Sequence, residues 1–156
     1  MTLIADGVVP FYLSCLSSRE AVLGQVGPAY SLSGLVVATD GSLRDSGAMG
    51  AAYVSIGGRL PPQSVSVFGQ PSSIRPELTG IAMALKDCSD EDDLNILTDS
   101  LSAIVLLRSM QRKDLPLWVY RHTARQLLQH TAQPINRRAE LGRTTRLIIE
   151  RAQSAQ

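Results

Sequence analysis

Three carboxylates, Asp40, Glu77 and Asp99, fall where an acidic site could assemble. Asp40 follows the apolar run Leu35-Val36-Val37-Ala38-Thr39 and precedes Gly41-Ser42, which read as its strand-ending turn. Asp99 follows Leu94-Asn95-Ile96-Leu97-Thr98 and precedes Ser100. Both runs have the pattern of strands buried on both faces. Both aspartates therefore stand at the carboxyl ends of strands, where open α/β sheets place ligands. Glu77 lies in the first turn of a helix announced by Ser72, Ser73 and Pro76, and reaches the same spot if that helix crosses the sheet. Taken singly, each acid has a bland role as a turn residue, a helix-dipole partner or a cap. Packed together, three anions raise one another's pKa values, and a divalent cation removes that penalty. Oxygen donors with little His or Cys nearby favour Mg²⁺ or Mn²⁺ over zinc.

The elements that must position these acids can be read along the chain. Leu35 to Thr39, Ala48 to Ser55 and Ser64 to Phe68 are three strands joined by short turns, an antiparallel meander. Leu78, Ile81, Ala82 and Leu85 recur at helical spacing, so a helix runs to about Cys88. The acidic run Asp90-Glu91-Asp92-Asp93 reads as a solvated loop. Leu94 to Leu97 is the fourth strand. Ser100 caps a second helix through about Arg112, with Leu101, Ile104, Val105 and Leu107 as its core face. Leu117 to Thr131 reads as a third helix ended by Pro134, Ile135 to Leu141 as a short fourth, and Thr145 to Ile149 as the fifth strand. The order β-β-β-α-β-α-α-α-β predicts an α/β fold on one mixed sheet. Residues 1 to 33 lack a sustained period and are punctuated by Pro10, Gly24, Gly27 and Pro28, so they read as a leader or tether, with the domain spanning 34 to 156.

The DGS at Asp40, the R-x-E-L from Arg75 to Leu78 and the TDS at Asp99 together resemble the ribonuclease H family, over about residues 34 to 152. The longer patterns are similar to ribonuclease H domains of retroelement polyproteins, as is the stretch from Pro134 to Thr145. The resemblance implies a ribonuclease H-like mixed five-stranded sheet with flanking helices. It implies a nuclease that hydrolyses the RNA strand of an RNA–DNA hybrid, with Asp40, Glu77 and Asp99 as catalytic ligands of two Mg²⁺ ions, or of Mn²⁺. Ser42, Ser73 and Thr79 are then the hydroxyls placed to meet the 2′-hydroxyls of the minor groove. Arg108, Arg112 and Arg125 are placed to meet phosphates of the DNA strand. A reverse-transcriptase polyprotein becomes a candidate setting.

One departure from the family pattern stands out. The family follows its fifth strand with a loop histidine and a helix carrying a fourth acid. Here Gln153 stands about where that histidine belongs, and no Asp or Glu follows it. The resemblance is thus to a member truncated at its C-terminus, with the final helix missing and activity expected to be weakened. The alternative is a catalytically inactive, nucleic-acid-binding or vestigial fragment of the same fold. His122 and His130 belong to the third helix and read as surface or core residues. Integrase-like and proofreading-exonuclease readings fit poorly, because Glu77 precedes Asp99 and no acid stands two residues after Asp40.

Composition sets the bounds. The 156 residues suit one domain, with 44% hydrophobic and 19% charged residues. No run approaches the roughly 18 apolar residues a membrane span requires. Cys15 and Cys88 have no metal spacing and read as buried thiols, so an intracellular, cytoplasmic or nuclear setting without membrane contact is expected. The net charge of +1 hides an asymmetry. Residues 1 to 107 carry five basic and eleven acidic side chains, whereas residues 108 to 156 carry ten basic and three acidic. Nine of those ten are arginine, whose fork suits phosphate, so a polyanionic partner is indicated.

Overall fold

The computed structural model describes residues 8–9, 34–89, 91–110, 122 and 124–149. In chain order the elements are β1 (Val8–Val9), β2 (Leu35–Leu43), β3 (Met49–Ser55), β4 (Gln63–Val67), α1 (Ile74–Asp87), β5 (Leu94–Thr98), α2 (Leu101–Ser109), α3 (Arg125–Glu140) and β6 (Thr145–Ile149). The fold is α/β. Its sheet has the strand order β1-β6-β5-β2-β3-β4, five main strands with the two-residue β1 added at one edge. The neighbours β1/β6, β6/β5 and β5/β2 are parallel, whereas β2/β3 and β3/β4 are antiparallel, so the expected meander and mixed sheet are both present.

All three helices contribute to one core cluster. Leu78, Ile81 and Leu85 of α1, Ile104 and Leu107 of α2, and Leu128 and Ile135 of α3 pack with Leu35, Val37, Leu94, Ile96, Leu147 and Ile149 of the sheet. These strand residues alternate along their chains, so they share one face of the sheet. β5 is buried along its whole length, as its near-continuous apolar run demands.

Four expectations change. Asp40-Gly41-Ser42 does not end β2. The parallel ladder to β5 stops at Ala38↔Leu97, but pairing with β3 carries on through Asp40↔Ala52 to Leu43↔Met49. Asp40 therefore sits two residues beyond the last parallel pair, inside a strand that continues as an antiparallel ribbon. Second, Pro134 does not end a helix, because α3 is one helix of 16 residues with Pro134 inside it. A proline in a helix interior costs about 3 kcal/mol. Here Leu128, Ala132 and Ile135 form one unbroken buried stripe across the proline, and that burial outweighs the cost.

Third, the buried face of α2 is Ala103, Ile104 and Leu107, with Leu101 and Val105 exposed. Leu101 and Val105 are one turn apart and share the outward side. Fourth, the loop before β5 is more than solvated. Arg59 pairs with the Asp92 carboxylate at 3.2 Å, Thr144 N–H donates to Asp93 Oδ1 at 2.9 Å, and Leu35 N–H donates to the Asp93 carbonyl at 2.9 Å. The fully buried Arg138 guanidinium donates to the carbonyls of Ser89 and Asp92. The backbone oxygens of Ser89 and Asp92 thus anchor this loop to α3.

Several expected features lie outside the described residues: Leu117 at the start of the third helix, Arg112 at the end of the second, Cys15, Gln153, and most of the leader. Of the leader, Val8 and Val9 pair with Thr145 and Arg146 of β6. Among the described residues, no helix is long and apolar enough to cross a membrane.

Candidate metal centre

Strand adjacency delivers two of the three acids. β2 and β5 are parallel neighbours, and the last pair of their ladder is Ala38↔Leu97. Each strand's aspartate then lies two residues further on, Asp40 on β2 and Asp99 just after β5. The Asp99 turn is fixed locally. Ser100 N–H donates to Thr98 Oγ1 at 3.1 Å, and Ala103 N–H donates to Ser100 Oγ at 3.2 Å, capping α2 as expected.

α1 delivers the third acid by passing close over β2. A Cβ on Gly41 would lie 2.6 Å from the Glu77 nitrogen and 2.6 Å from the Pro76 carbonyl carbon, well inside any real contact. One turn further on, a Cβ on Gly80 would meet the carbonyls of Asp40 and Ala52 at 3.4 Å. Glycine in a strand and glycine in a helix thus let the two backbones touch. Ser72, not Ser73, supplies the side-chain cap of α1, its Oγ accepting from Arg75 N–H at 3.2 Å.

The outcome is a cluster in which one carboxylate oxygen from each of Asp40, Glu77 and Asp99 lies within 4.8 Å of the other two. Asp40 and Asp99 are exposed and Glu77 is half-buried. Burial, then the charges of Asp99 and Asp40, push the Glu77 carboxyl up to about 7, and a hydrogen bond from the Gly41 backbone only partly offsets this. Burial and the nearby Asp40 also raise Asp99, against a hydrogen bond from its own backbone. Glu77 Oε2 is buried and has no hydrogen-bond partner. A buried carboxylate oxygen without a partner is costly, and here it belongs to a residue clustered with two other acids. The donor set is all oxygen, which suits a hard divalent cation.

Two hollows flank the acids. One of about 340 Å³ is lined by Ser73, Glu77, Asp99, Ser100 and Ser102, among others. The second, of about 190 Å³, is lined by Asp40, Ser42, Gly50, Ala52 and Ser64, among others. Ser42 thus lines a hollow with Asp40, and Ser73 lines the one with Glu77 and Asp99. Thr79 lines neither hollow, and its hydroxyl donates to the Arg75 carbonyl at 2.8 Å. Arg108 lies in the last turn of α2 and Arg125 opens α3; Arg112 is outside the described residues. His122 uses Nδ1 to accept from Ala124 N–H at 3.0 Å, next to the start of α3, and His130 is exposed on that helix.

Sequence reasoning missed Ser100 and Ser102 as lining residues, and it missed Gly41 as the position where helix and strand touch. Glycine inside a strand pattern was the available signal for Gly41. Compared with models of known protein families and with curated proteins, the sequence matches none.

Proposed function

We propose that this chain is a ribonuclease H-type, metal-dependent endonuclease acting on the RNA strand of RNA–DNA hybrids. The observation that carries the reading is the convergence of Asp40, Glu77 and Asp99, from β2, α1 and just past β5, to within 4.8 Å. Support comes also from the order of elements and from the β6-β5-β2-β3-β4 adjacency, which puts the two aspartate-bearing strands side by side. The three acids would hold Mg²⁺, with Mn²⁺ as a substitute, and the orphaned Glu77 Oε2 is the donor most in need of it. A bound divalent ion supplies charge neutralisation and Lewis-acid chemistry for phosphodiester hydrolysis.

The residues divide the remaining work. The closely approaching backbones at Gly41 and Glu77 hold the start of α1, and with it Glu77, against the strand that carries Asp40. Ser42 and Ser73, on the two flanking hollows, are the hydroxyls that would meet a 2′-hydroxyl-bearing strand. Thr79 is the weaker candidate, since its proton is already given to Arg75. Arg108, Arg112 and Arg125 would take phosphates of the companion strand. A retroelement polyprotein remains the proposed setting.

The test is cleavage of an end-labelled RNA–DNA hybrid with Mg²⁺ or Mn²⁺, beside the Asp40→Asn variant. Scission confined to the RNA strand and abolished by Asp40→Asn is the expected result. Metal binding by calorimetry without any cleavage would favour the inactive, nucleic-acid-binding alternative. Absence of metal binding in a folded chain would end the proposal.

A further inference from the structure

Strand β4 ends the sheet, and among the described residues no strand lies beyond it. What its outer edge offers follows from the hydrogen bonds of the neighbouring ladder. Ile56 N–H donates to the Val36 carbonyl at 2.8 Å and Arg44 N–H to the Ala48 carbonyl at 2.9 Å, at the two ends of the β2/β3 pairing. Bonded pairs alternate along an antiparallel ladder, so the even-numbered residues of β3 bond to β2. Met49, Ala51 and Tyr53 then turn their N–H and C=O groups toward β4. Their partners Val67, Val65 and Gln63 are bonded inward, and Ser64 and Ser66 aim N–H and C=O outward.

We infer that this edge pairs with the same edge of a second copy of the chain, β4 against β4, antiparallel about a two-fold axis through Val65. The strand reads Gln-Ser-Val-Ser-Val, so the two outward-facing serines stand symmetrically about its middle residue. Ser64 of one copy then lies opposite Ser66 of the other, and each such pair exchanges both of its backbone hydrogen bonds. All of β4 is engaged in this register. Val65 lies opposite itself, in the type of pair that brings side chains closest. Beyond the strand ends, Phe68 comes against Pro62 of the second copy, and the proline, having no N–H, halts the ladder there. A self-complementary contact of this kind closes at two copies.

Charge and exposure favour a second copy as the occupant. Residues 60–74 contain no Asp, Glu, Lys or Arg, so the edge lacks the charges that usually guard one and nothing on it repels its own image. A partner chosen by charge would find nothing there to recognise. Gln63 to Ser66 are all exposed, and the apolar side chains Val65 and Phe68 are 43% and 85% exposed. Pairing covers both. It also sets the two acidic clusters on one continuous sheet, because the register row Asp40, Ala52 and Ser64 continues through Ser66 of the second copy. The inference does not depend on the proposed activity.

Sedimentation equilibrium of the full chain should show a monomer–dimer equilibrium that shifts toward dimer with concentration. Val65→Lys sets two cations face to face and Val65→Glu two anions. Each alone should weaken the dimer about tenfold or more, and an equimolar mixture of the two should restore it. A cross-link reads the register. Val65→Cys in a Cys15→Ser background should oxidise to a disulfide-linked dimer, since facing residues of this pair type have Cα atoms about 4.5 Å apart. Ser64→Cys in the same background should not, because position 64 faces position 66. A chain that stays monomeric up to about 1 mM overturns the inference. So does a dimer that Val65→Lys leaves intact, a cross-link equally efficient at 64 and 65, or open-ended aggregation in place of dimers.

Discussion

Gly41 and Glu77 meet backbone to backbone: a Cβ at position 41 would stand 2.6 Å from the Glu77 nitrogen. The distance between β2 and the start of α1 is therefore set by the absence of a side chain. Gly41→Ala must push α1 away from the strand and carry Glu77 out of reach of Asp40 and Asp99. Overpacking of this kind costs about 1–3 kcal/mol. The variant should unfold several degrees lower and lose most of its Mg²⁺-induced stabilisation in thermal melts. Gly50→Ala is the control, because its Cβ would meet the Ser42 hydroxyl at 3.3 Å and the Val65 carbonyl at an ordinary 3.6 Å, and it should cost less than about 1 kcal/mol.

Metal binding should stabilise the fold through the acids themselves. A ligand at 100 times its Kd adds about 2.7 kcal/mol to folding stability. Saturating Mg²⁺ or Mn²⁺ should raise Tm in the wild-type chain and leave Asp40→Asn and Asp99→Asn nearly unmoved. An equal rise in the variants would put the ion elsewhere.

Without metal, the cluster makes stability depend on pH in a defined direction. Glu77 titrates at about 7 in the fold against an ordinary 4.5. Between those values the folded chain holds more protons than the unfolded one, so stability falls as pH rises through the window. The contribution is fully present below pH 4.5 and lost above about 7. Since water reaches this half-buried group, the effect is about 1–2 kcal/mol, or a few degrees in Tm. Glu77→Gln should flatten the profile between pH 5 and 8, judged by denaturant titration at each pH. Mg²⁺ should reverse the slope, because the ion competes with the proton and binds more tightly as pH rises.

For hybrid binding, the basic C-terminal half predicts a salt dependence. Each phosphate contact contributes about 0.9 to the log–log slope for B-form DNA. Replacing Arg108, Arg112 and Arg125 by Ala should flatten the slope by up to about 3 in filter-binding or anisotropy titrations. An unchanged slope would show that these arginines do not touch the nucleic acid.

Pro134 offers a stability test away from the site. It removes one hydrogen-bond donor from the interior of α3, leaving the His130 carbonyl without its usual partner four residues on. Pro134→Ala should stabilise the chain by about 1–3 kcal/mol and raise Tm by several degrees. A loss of stability would mean the packing of α3 on α1 depends on a bend there.

Much of this was legible from residue order. The strands and α1 announce themselves because period-2 and period-3.6 patterns alternate cleanly from Leu35 to Leu85, and each acid sits at a pattern boundary. The extension of β2 past Asp40 was not legible. Gly41 and Ser42 look like a turn in isolation, and only the small side chains of β3 opposite them keep the ladder going. Nor was the continuity of α3, since a local rule about Pro134 was overruled by a buried stripe that needs both halves of the helix. The proximity of the three acids was inferred only by assuming that β2 and β5 are neighbours. The choice of Ser72 over Ser73 as cap depends on a backbone angle that the two adjacent serines do not encode.

Asn95 is fully buried near the start of β5, where its Nδ2 donates to the Leu35 carbonyl and its Oδ1 accepts from Arg146 Nη1, each at 3.3 Å. From Leu94 to Leu97 β5 is otherwise apolar on both sides, so hydrophobicity alone gives it no sense of up or down and no fixed register. A shift by one residue would swing the amide into the hydrocarbon between sheet and helices, stripped of both partners. One polar side chain thus tells the central strand which way to lie and against which residues. Because Asp99 follows four positions later, just past the end of β5, the amide that aligns β5 also decides where the second aspartate arrives.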